Sequence, residues 1–281
     1  MVIIDGKKIS ALIRAELKEQ ITKITEQGKQ IGLAVIIIGH DPASEVYVRN
    51  KINACKETGI TSYHYELDET VSENEVLSLI SNLNENIDVY GILVQLPLPK
   101  HLNKDNILAA IDPKKDIDGF SAYQAGKLFL GERNALVSCT PKGIIELLKA
   151  YNVNIDGANA VVIGRSNIVG KPVAALLMQE NATVTVCHSH TVNLREYTKK
   201  ADIIVLAVGK PNFLTRDMIK SGSIVVDAGI NRVNGKLCGD ADFDGIADKC
   251  ALITPVPGGV GPMTVTMLMQ NTLNAYKNAD R

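Results

Sequence analysis

AVVIGRSNIVGKP, residues 160–172, is the stretch that decides the fold of this chain. Ala160 to Ile163 have the composition of a short buried strand, Gly164 to Gly170 form a turn, and Lys171-Pro172 opens a helix. A dinucleotide pyrophosphate binds in such a setting, because glycine lets the backbone approach it and the helix N-terminal amides favour the phosphates. These residues therefore predict a nucleotide-binding turn in an α/β fold.

The turn matches the GxGxxG pattern only in part. Ser166 and Val169 stand at the second and third glycine positions, and Gly170 comes one place late. A tight strand-to-helix turn without a ligand is the alternative interpretation. Arg165 and Ser166 favour a ligand, because they offer a guanidinium and a hydroxyl where a phosphate would lie.

The next strand indicates which dinucleotide binds. It covers Thr183 to Val186 and ends in Cys187-His188-Ser189-His190, without an acid. NAD sites carry an Asp or Glu about 20 residues after the glycines that binds the ribose 2′-hydroxyl, and this carboxylate would repel a 2′-phosphate. The acid-free strand end favours NADP over NAD. The two histidines and the thiol lack ordinary zinc spacing, and no second ligand cluster accompanies them, so we expect no metal.

Apolar runs alternate with amphipathic stretches on both sides of this turn, which predicts parallel strands joined by helices. The predicted strands are 33–38, 91–96, 160–163, 183–186, 203–208, 224–226 and 251–254. The predicted helices are 9–27, 73–84, 141–151, 172–179 and 263–276.

Residues 96–137 interrupt this alternation. They are rich in Pro and Gly and contain no long strand pattern, so we interpret them as a connecting region that also contributes to a site. The fold class is α/β with two α/β domains, which we place at residues 1–138 and 139–262.

Composition excludes several classes of function. The formal net charge of −1, without a basic stripe, argues against a nucleic-acid partner. No apolar run approaches the roughly 20 residues of a membrane span, and the start of the chain turns polar too early for a signal peptide. The cysteines are scattered and odd in number, which predicts reduced thiols and a cytoplasmic protein.

A second group of candidate residues lies on a predicted helix that begins at Asp41-Pro42 and ends before Gly59. Tyr47, Lys51 and Cys55 would share one face of it. A lysine in a partly dry site can exchange protons near neutral pH, and a phenol one turn away can tune it. A solvated lysine on a surface helix is the alternative.

Three further segments carry candidate site residues. Gln95 lies in a buried-looking strand, where its amide needs hydrogen-bond partners of a structural or functional kind. Asp118 precedes Gly119 in an acidic turn. Residues 254–264 are dense in Pro and Gly, which is typical of rigid backbone near a ligand or of a stiff linker.

Together these residues resemble the bifunctional methylenetetrahydrofolate dehydrogenase/cyclohydrolase family, over nearly the whole chain and in the family's order. The segments that carry the resemblance are 42–51, 91–99, 115–119, 139–141, 164–172, 209–211, 227–231, 239–240 and 254–266. It implies that the second domain is a Rossmann-type doubly wound parallel sheet, that helix 263–281 packs back on the N-terminal domain, and that a folate cleft lies between the domains. It also implies a homodimer.

The resemblance implies two reactions of one-carbon metabolism. 5,10-Methylenetetrahydrofolate gives a hydride to NADP, forming 5,10-methenyltetrahydrofolate, and water then opens that ring to give 10-formyltetrahydrofolate. Lys51 would be the acid/base group of the hydrolysis, tuned by Gln95, while Tyr47 stacks near the folate and Asp118 holds the pterin. The other implied folate-binding residues are Pro255, Gly258, Gly259 and Val260. The implied cofactor-binding residues are Gly164, Arg165, Ser166, Ile168, Ser189 and Ile230.

Two other hypotheses keep the nucleotide turn. A dehydrogenase without cyclohydrolase activity, or one acting on another substrate, would not need Tyr47, Lys51 and Gln95. A non-catalytic nucleotide sensor would bind NADP without turning over any folate.

Overall fold

The apolar runs form strands of two parallel sheets, each in its own unit of the chain. The computed structural model describes residues 1–279. Residues 12–137 and the chain from Val265 onward form one unit, which we call the Lys51 unit. Residues 1–11 and 138–264 form the other, which we call the Gly164 unit. The predicted first domain, residues 1–138, includes Val2 and Ile3, but these two residues pair with a strand of the Gly164 unit.

The strands are, in chain order, β1 (Val2–Ile3), β2 (Gly32–Ile38), β3 (Thr61–Leu67), β4 (Val89–Val94), β5 (Asn159–Ile163), β6 (Thr183–Cys187), β7 (Ile203–Leu206), β8 (Ile224–Asp227), β9 (Asn231–Val233), β10 (Lys236–Cys238) and β11 (Leu252–Ile253). The α-helices are α1 (Gly6–Thr25), α2 (Pro42–Thr58), α3 (Glu73–Glu85), α4 (Lys104–Ala109), α5 (Ala122–Phe129), α6 (Cys139–Ala150), α7 (Gly170–Gln179), α8 (Leu194–Thr198), α9 (Phe243–Ile246) and α10 (Val260–Ala279). None of the helices within residues 1–279 has the length and apolar character to span a bilayer.

The sheet of the Lys51 unit has the order β3-β2-β4, with both pairings parallel. Every residue of the central strand β2 is buried, which explains its unbroken apolar sequence. One core cluster packs β2 and β4 against α3 and α4. The connecting region after β4 contains α4 and α5, and no strand is assigned between residues 96 and 137.

Helix α2 begins and ends where the sequence predicts. The Asp41 carboxylate accepts a hydrogen bond from the amide of Ser44 at 2.8 Å, which caps the first turn. At the other end Gly59 adopts φ 84°, the left-handed conformation that closes many helices. These two caps fix the register of the helix that carries Lys51.

The sheet of the Gly164 unit has the order β1-β11-β8-β7-β5-β6, and its pairings are parallel. Counted from β5, the order of its strands is 2-1-3-4-5, one of the two common doubly wound arrangements. The predicted doubly wound parallel sheet is confirmed. The order reverses between β5 and β7, and ligands of such sheets bind at the carboxyl ends of the strands beside that point. The glycine turn leaves β5 there.

Candidate active site

Lys51 and Gln95 are hydrogen-bonded in the Lys51 unit. The Lys51 Nζ donates to Gln95 Oε1 at 2.9 Å, and the Gln95 Nε2 donates to the Leu96 carbonyl at 2.6 Å. The Gln95 backbone amide donates to Ile36 in β2, so the residue is anchored at the end of the sheet. Because its amide group bonds on both sides, Gln95 presents only its oxygen to Lys51. This fixes one N–H of a partly buried lysine.

The carboxyl of Asp118 lies close enough to Lys51 for the lysine charge to affect its pKa. Burial raises the pKa of its carboxyl to about 6, the positive charge of Lys51 acts to lower it, and Asp116 acts to raise it further. Asp118 also lines a cavity of about 370 Å³ whose walls include Ile92, Val94 and Phe120. The apolar walls account for the desolvation of this carboxyl.

The turn that carries Asp118 is held by two buried polar residues. The Asp116 carboxylate accepts hydrogen bonds from the amides of Gly119 at 3.0 Å and Ser121 at 2.7 Å. From α10, the Asn271 Nδ2 donates to the carbonyls of Ile117 and Val137, each at 2.8 Å. The sequence analysis missed Asn271, since an amide in an apolar helix gives no hint of a partner more than a hundred residues away.

The face of α2 that carries Tyr47, Lys51 and Cys55 runs from the surface into the core. Tyr47 is 47% exposed, Lys51 is partly buried and Cys55 is fully buried. The Cys55 sulfur lies 3.7 Å from the sulfur of Met269, and burial raises the pKa of this thiol to about 12. Cys55 is therefore a packing residue, while Tyr47 and Lys51 remain accessible to a ligand.

The glycine turn is shaped by close backbone contacts in the Gly164 unit. Gly164 has φ 127°, and a Cβ on it would lie 2.3 Å from the carbonyl oxygen of Ala207. A Cβ on Gly170 would lie 2.2 Å from the carbonyl oxygen of Gly164. Gly170 therefore provides the close helix–strand packing of a third glycine, although it comes one place late in the pattern.

Ser166 organises the start of α7. Its hydroxyl oxygen accepts hydrogen bonds from the amides of Val169 at 3.1 Å and Gly170 at 3.3 Å. Arg165 and Ser166 are exposed, and Ile168 is 46% exposed. A glycine cradle at a helix N-terminus, flanked by an exposed guanidinium and hydroxyl, fits the pyrophosphate of a dinucleotide.

Ser189 follows β6, the strand beside β5. Its neighbours hold the turn, because the His188 amide donates to Thr191 Oγ1 at 2.9 Å and the His190 amide donates to His188 Nδ1 at 3.1 Å. Ser189 is exposed at the carboxyl end of its strand. Within residues 1–279 no group of three or more His, Cys, Asp or Glu side chains has the arrangement of a metal site.

Ile230 lies after β8 and is 56% exposed. The loop that presents it begins at Asp227, whose buried carboxylate accepts a hydrogen bond from the Gly229 amide at 2.8 Å. Burial raises the pKa of Asp227, and the backbone amides that it accepts act in the opposite direction. The Asp227 amide in turn donates to Thr254 Oγ1 at 2.7 Å, which links this loop to the Pro- and Gly-rich segment.

The segment from Pro255 to Val260 is rigid backbone. Gly258 has φ 110°, and the Gly259 amide donates to the Pro255 carbonyl at 2.9 Å. The Gly258 carbonyl accepts from the amides of Gly6 at 3.0 Å and Lys7 at 3.2 Å. A Cβ on Gly6 would lie 1.8 Å from the Gly259 oxygen, so Gly6 allows this contact. Gly6 was not among the predicted residues.

Comparison with known proteins decides the family. Residues 4–118 match the catalytic domain of tetrahydrofolate dehydrogenase/cyclohydrolase, and residues 138–280 match the NAD(P)-binding domain of the same family. The chain belongs to this family. The resemblance that its motifs predicted is confirmed.

Relatives of the dehydrogenase/cyclohydrolase family match over the full length. The bifunctional protein FolD of Agathobacter rectalis is 55% identical over 276 residues, 98% of this chain and 99% of the relative. The crystal structure of the FolD dehydrogenase/cyclohydrolase of Campylobacter jejuni has a TM-score of 0.97 at 50% identity and covers 99% of each chain. The Trypanosoma brucei enzyme, complexed with NADP and an inhibitor, has a TM-score of 0.93 at 39% identity and covers 100% of this chain and 99% of that one.

Proposed function

We propose that Lys51, Tyr47, Gln95 and Asp118 carry the folate chemistry of this bifunctional enzyme, with Lys51 as the proton-transfer group of its hydrolytic step. The enzyme oxidises 5,10-methylenetetrahydrofolate to 5,10-methenyltetrahydrofolate with NADP, and it hydrolyses this product to 10-formyltetrahydrofolate. The observation that carries the proposal is the 2.9 Å hydrogen bond from Lys51 to Gln95, with Asp118 within electrostatic reach of the same ammonium.

The hydrolysis needs proton transfer at two points. Water adds its oxygen to the methenyl carbon and loses one proton. The bond from that carbon to N5 then breaks as N5 gains a proton and the new hydroxyl loses its proton to become the formyl oxygen. Lys51 is placed to move these protons, because Gln95 holds one of its N–H groups and leaves the rest of the amine for water. The carboxyl of Asp118 accepts hydrogen bonds from N–H groups of the pterin, and the folate stacks on the ring of Tyr47.

NADP, when bound, accepts the hydride in the first reaction. The residues that hold it, on our proposal, are Gly164, Arg165, Ser166, Ile168, Ser189 and Ile230. Arg165 and Ser166 contact the phosphates together with the amides of α7, Ser189 lies toward the 2′-phosphate, and Ile230 packs near the nicotinamide. Pro255, Gly258, Gly259 and Val260 contact the folate.

Substitution of Lys51 tests the assignment. We expect Lys51→Met to lower the rate of methenyltetrahydrofolate hydrolysis by at least about 100-fold, the upper part of the range for a general acid–base group. Methenyltetrahydrofolate should then accumulate when the variant is supplied with methylenetetrahydrofolate and NADP. Lys56→Met, on the exposed part of the same helix, is the matched control and should keep both rates. Hydrolysis at the parental rate in Lys51→Met would show that another group moves the protons.

We also propose a cytoplasmic homodimer formed through the Gly164 unit. β6 is the last strand in the order of its sheet, and Val186 on it is 39% exposed, which supports an association at this edge. Cys55, Cys187, Cys238 and Cys250 form no disulfide within residues 1–279, which supports a reducing compartment. Light scattering should give the mass of two chains, and Val186→Asp should give the mass of one. A single-chain mass for the unsubstituted protein would contradict the proposal.

A further inference from the structure

The carboxylate of Asp240 is fully buried and accepts hydrogen bonds from four N–H groups. Its Oδ2 accepts from the amides of Val208 at 2.7 Å and Gly209 at 3.0 Å, and its Oδ1 accepts from the amide of Lys210 at 2.9 Å and from Asn231 Nδ2 at 2.9 Å. All four partners point N–H groups at it. Only a group in which both terminal atoms accept hydrogen bonds can satisfy the four donors, and a carboxylate is such a group.

The donors belong to two segments at the carboxyl edge of the sheet, the loop after β7 and the first residue of β9. Residues 208–210 follow β7, and Asn231 follows the exposed Ile230 beyond β8. The first loop adjoins the glycine turn, because the carbonyl oxygen of Ala207 occupies the space where a Cβ of Gly164 would be. Asp240 therefore ties the loop beside the glycine turn to the loop that presents Ile230.

A second carboxylate fixes Asp240 itself. Asp227 accepts hydrogen bonds from the amides of Asp240 at 3.1 Å and Ala241 at 2.7 Å. Two glycines allow the carboxylates to come this near to the backbone. A Cβ on Gly239 would lie 2.0 Å from Asp227 Oδ2, and a Cβ on Gly229 would lie 2.2 Å from Asp240 Cγ. The position of the Asp240 carboxylate is thus set by three backbone amides and the Asn231 side chain, and by the hydrogen bond from its own backbone amide to Asp227.

We propose that Asp240 is a positioning residue for the nicotinamide half of the cofactor, acting through the 208–210 loop and through Ile230. The inference rests on the NADP site proposed above. The carboxylate sets the distance between the turn that receives the phosphates and the side chain beside the nicotinamide. An asparagine of the same size would turn an NH2 group toward two of the N–H donors, so at least one loop would move away.

The test compares Asp240→Asn with Asp244→Asn, an exposed acid of the same unit. We expect Asp240→Asn to raise the Kd of NADP, measured from the NADP-dependent increase in Tm, and the KM of NADP by at least about tenfold, the effect of one lost hydrogen bond to a charged group. The KM of methylenetetrahydrofolate and the hydrolysis of added methenyltetrahydrofolate should stay within about twofold of the parent. Asp244→Asn should change none of these values.

A purely structural role would give another pattern. It would lower the active fraction, and therefore both reaction rates, while the Kd of NADP stayed unchanged, and that result would overturn the inference. If Asp240→Asn does not fold, Asn231→Ala removes a single donor and should still raise the Kd of NADP several-fold; an unchanged Kd there also overturns the inference. Absence of NADP binding by the unsubstituted chain would overturn the proposed function as well.

Discussion

Gly170 and Gly164 are packed backbone to backbone: a Cβ on Gly170 would lie 2.2 Å from the carbonyl oxygen of Gly164. The first turn of α7 therefore starts directly against the end of β5. The distance between the helix amides and the strand end is fixed by the lack of a side chain at these two positions. On our proposal that this turn binds the phosphates of NADP, the binding geometry depends on that distance.

Gly170→Ala should accordingly weaken cofactor binding and the fold together. The added methyl group cannot fit without a shift of backbone, so we expect a loss of about 1–3 kcal/mol in the free energy of unfolding and at least about a tenfold rise in the Kd of NADP. Urea unfolding and NADP titration measure the two effects. Gly126→Ala is the control, because a Cβ there meets nothing within 4 Å and a helical alanine should stabilise by about 0.5–1 kcal/mol. An alanine at position 170 with parental NADP affinity would contradict the packing argument.

Gln95→Leu should impair hydrolysis through Lys51. The substitution removes the oxygen that accepts the Lys51 N–H, so the amine loses its fixed orientation. We expect the hydrolysis of methenyltetrahydrofolate to fall at least about tenfold, with the Kd of NADP unchanged. Gln30→Leu, at an exposed glutamine of the same unit that bonds to Thr61, should leave both values unchanged. Equal hydrolysis rates in the two variants would argue against the coupling of Gln95 to Lys51.

The parts of the fold that the sequence predicted are those with local signals. The buried strand β5 and the helix caps at Asp41 and Gly59 are of this kind. β3 escaped prediction because Thr61–Leu67 alternates polar and apolar residues and lacks a continuous apolar run. The β9–β10 hairpin was also missed, although Asn234-Gly235, with φ of 49° and 78°, is the dipeptide that favours such a turn.

The candidate site divides in the same way. Lys51 and Gln95 were selected as a helix position and a strand amide, and their contact, 44 residues apart in sequence, required the fold. Asp240 entered the sequence analysis only as part of segment 239–240 of the family resemblance, because three of its partners are ordinary backbone amides about 30 residues before it. Gly170 departs from the GxGxxG pattern by one position, and the close backbone contact between Gly170 and Gly164 explains why a glycine is needed there.

The thiols should differ in reactivity. Cys55, Cys139, Cys187 and Cys250 are buried, whereas Cys238 is partly exposed. Burial raises the pKa of Cys250 to about 11 as it raises that of Cys55, so neither forms much thiolate at pH 8. We expect an aromatic disulfide reagent to modify one thiol rapidly in the folded protein and Cys238→Ser to remove that phase. A rapid phase that persists in Cys238→Ser would show that a buried cysteine opens to solvent.

Asp118 should make the protein less stable as the pH rises. Its pKa is raised from 3.8 to about 6 by burial, so the folded state holds the proton more tightly than the unfolded state. The stabilisation from the protonated form is complete below about pH 4 and is lost as the pH passes 6, a change of about 3 kcal/mol at most. Asp118→Asn lacks this titration. Its free energy of unfolding relative to the parent should therefore increase from about pH 4.5 to about pH 7.5, two values near the lower and upper ends of that window.

Asp68→Asn, in the same unit, is the control at a carboxyl group whose pKa is shifted in the opposite direction. Hydrogen bonds from the hydroxyl and amide of Thr70 lower the pKa of Asp68, so its contribution to stability is present at neutral pH and is lost as the pH falls. Because that loss occurs below about pH 4, the difference in free energy of unfolding between this variant and the parent should stay nearly constant over the same interval. Urea unfolding of the three proteins at both pH values measures the two slopes. Parallel pH dependences for Asp118→Asn and the parent would mean that Asp118 titrates alike in the folded and unfolded chains, and that its site is wetter than its apolar walls indicate.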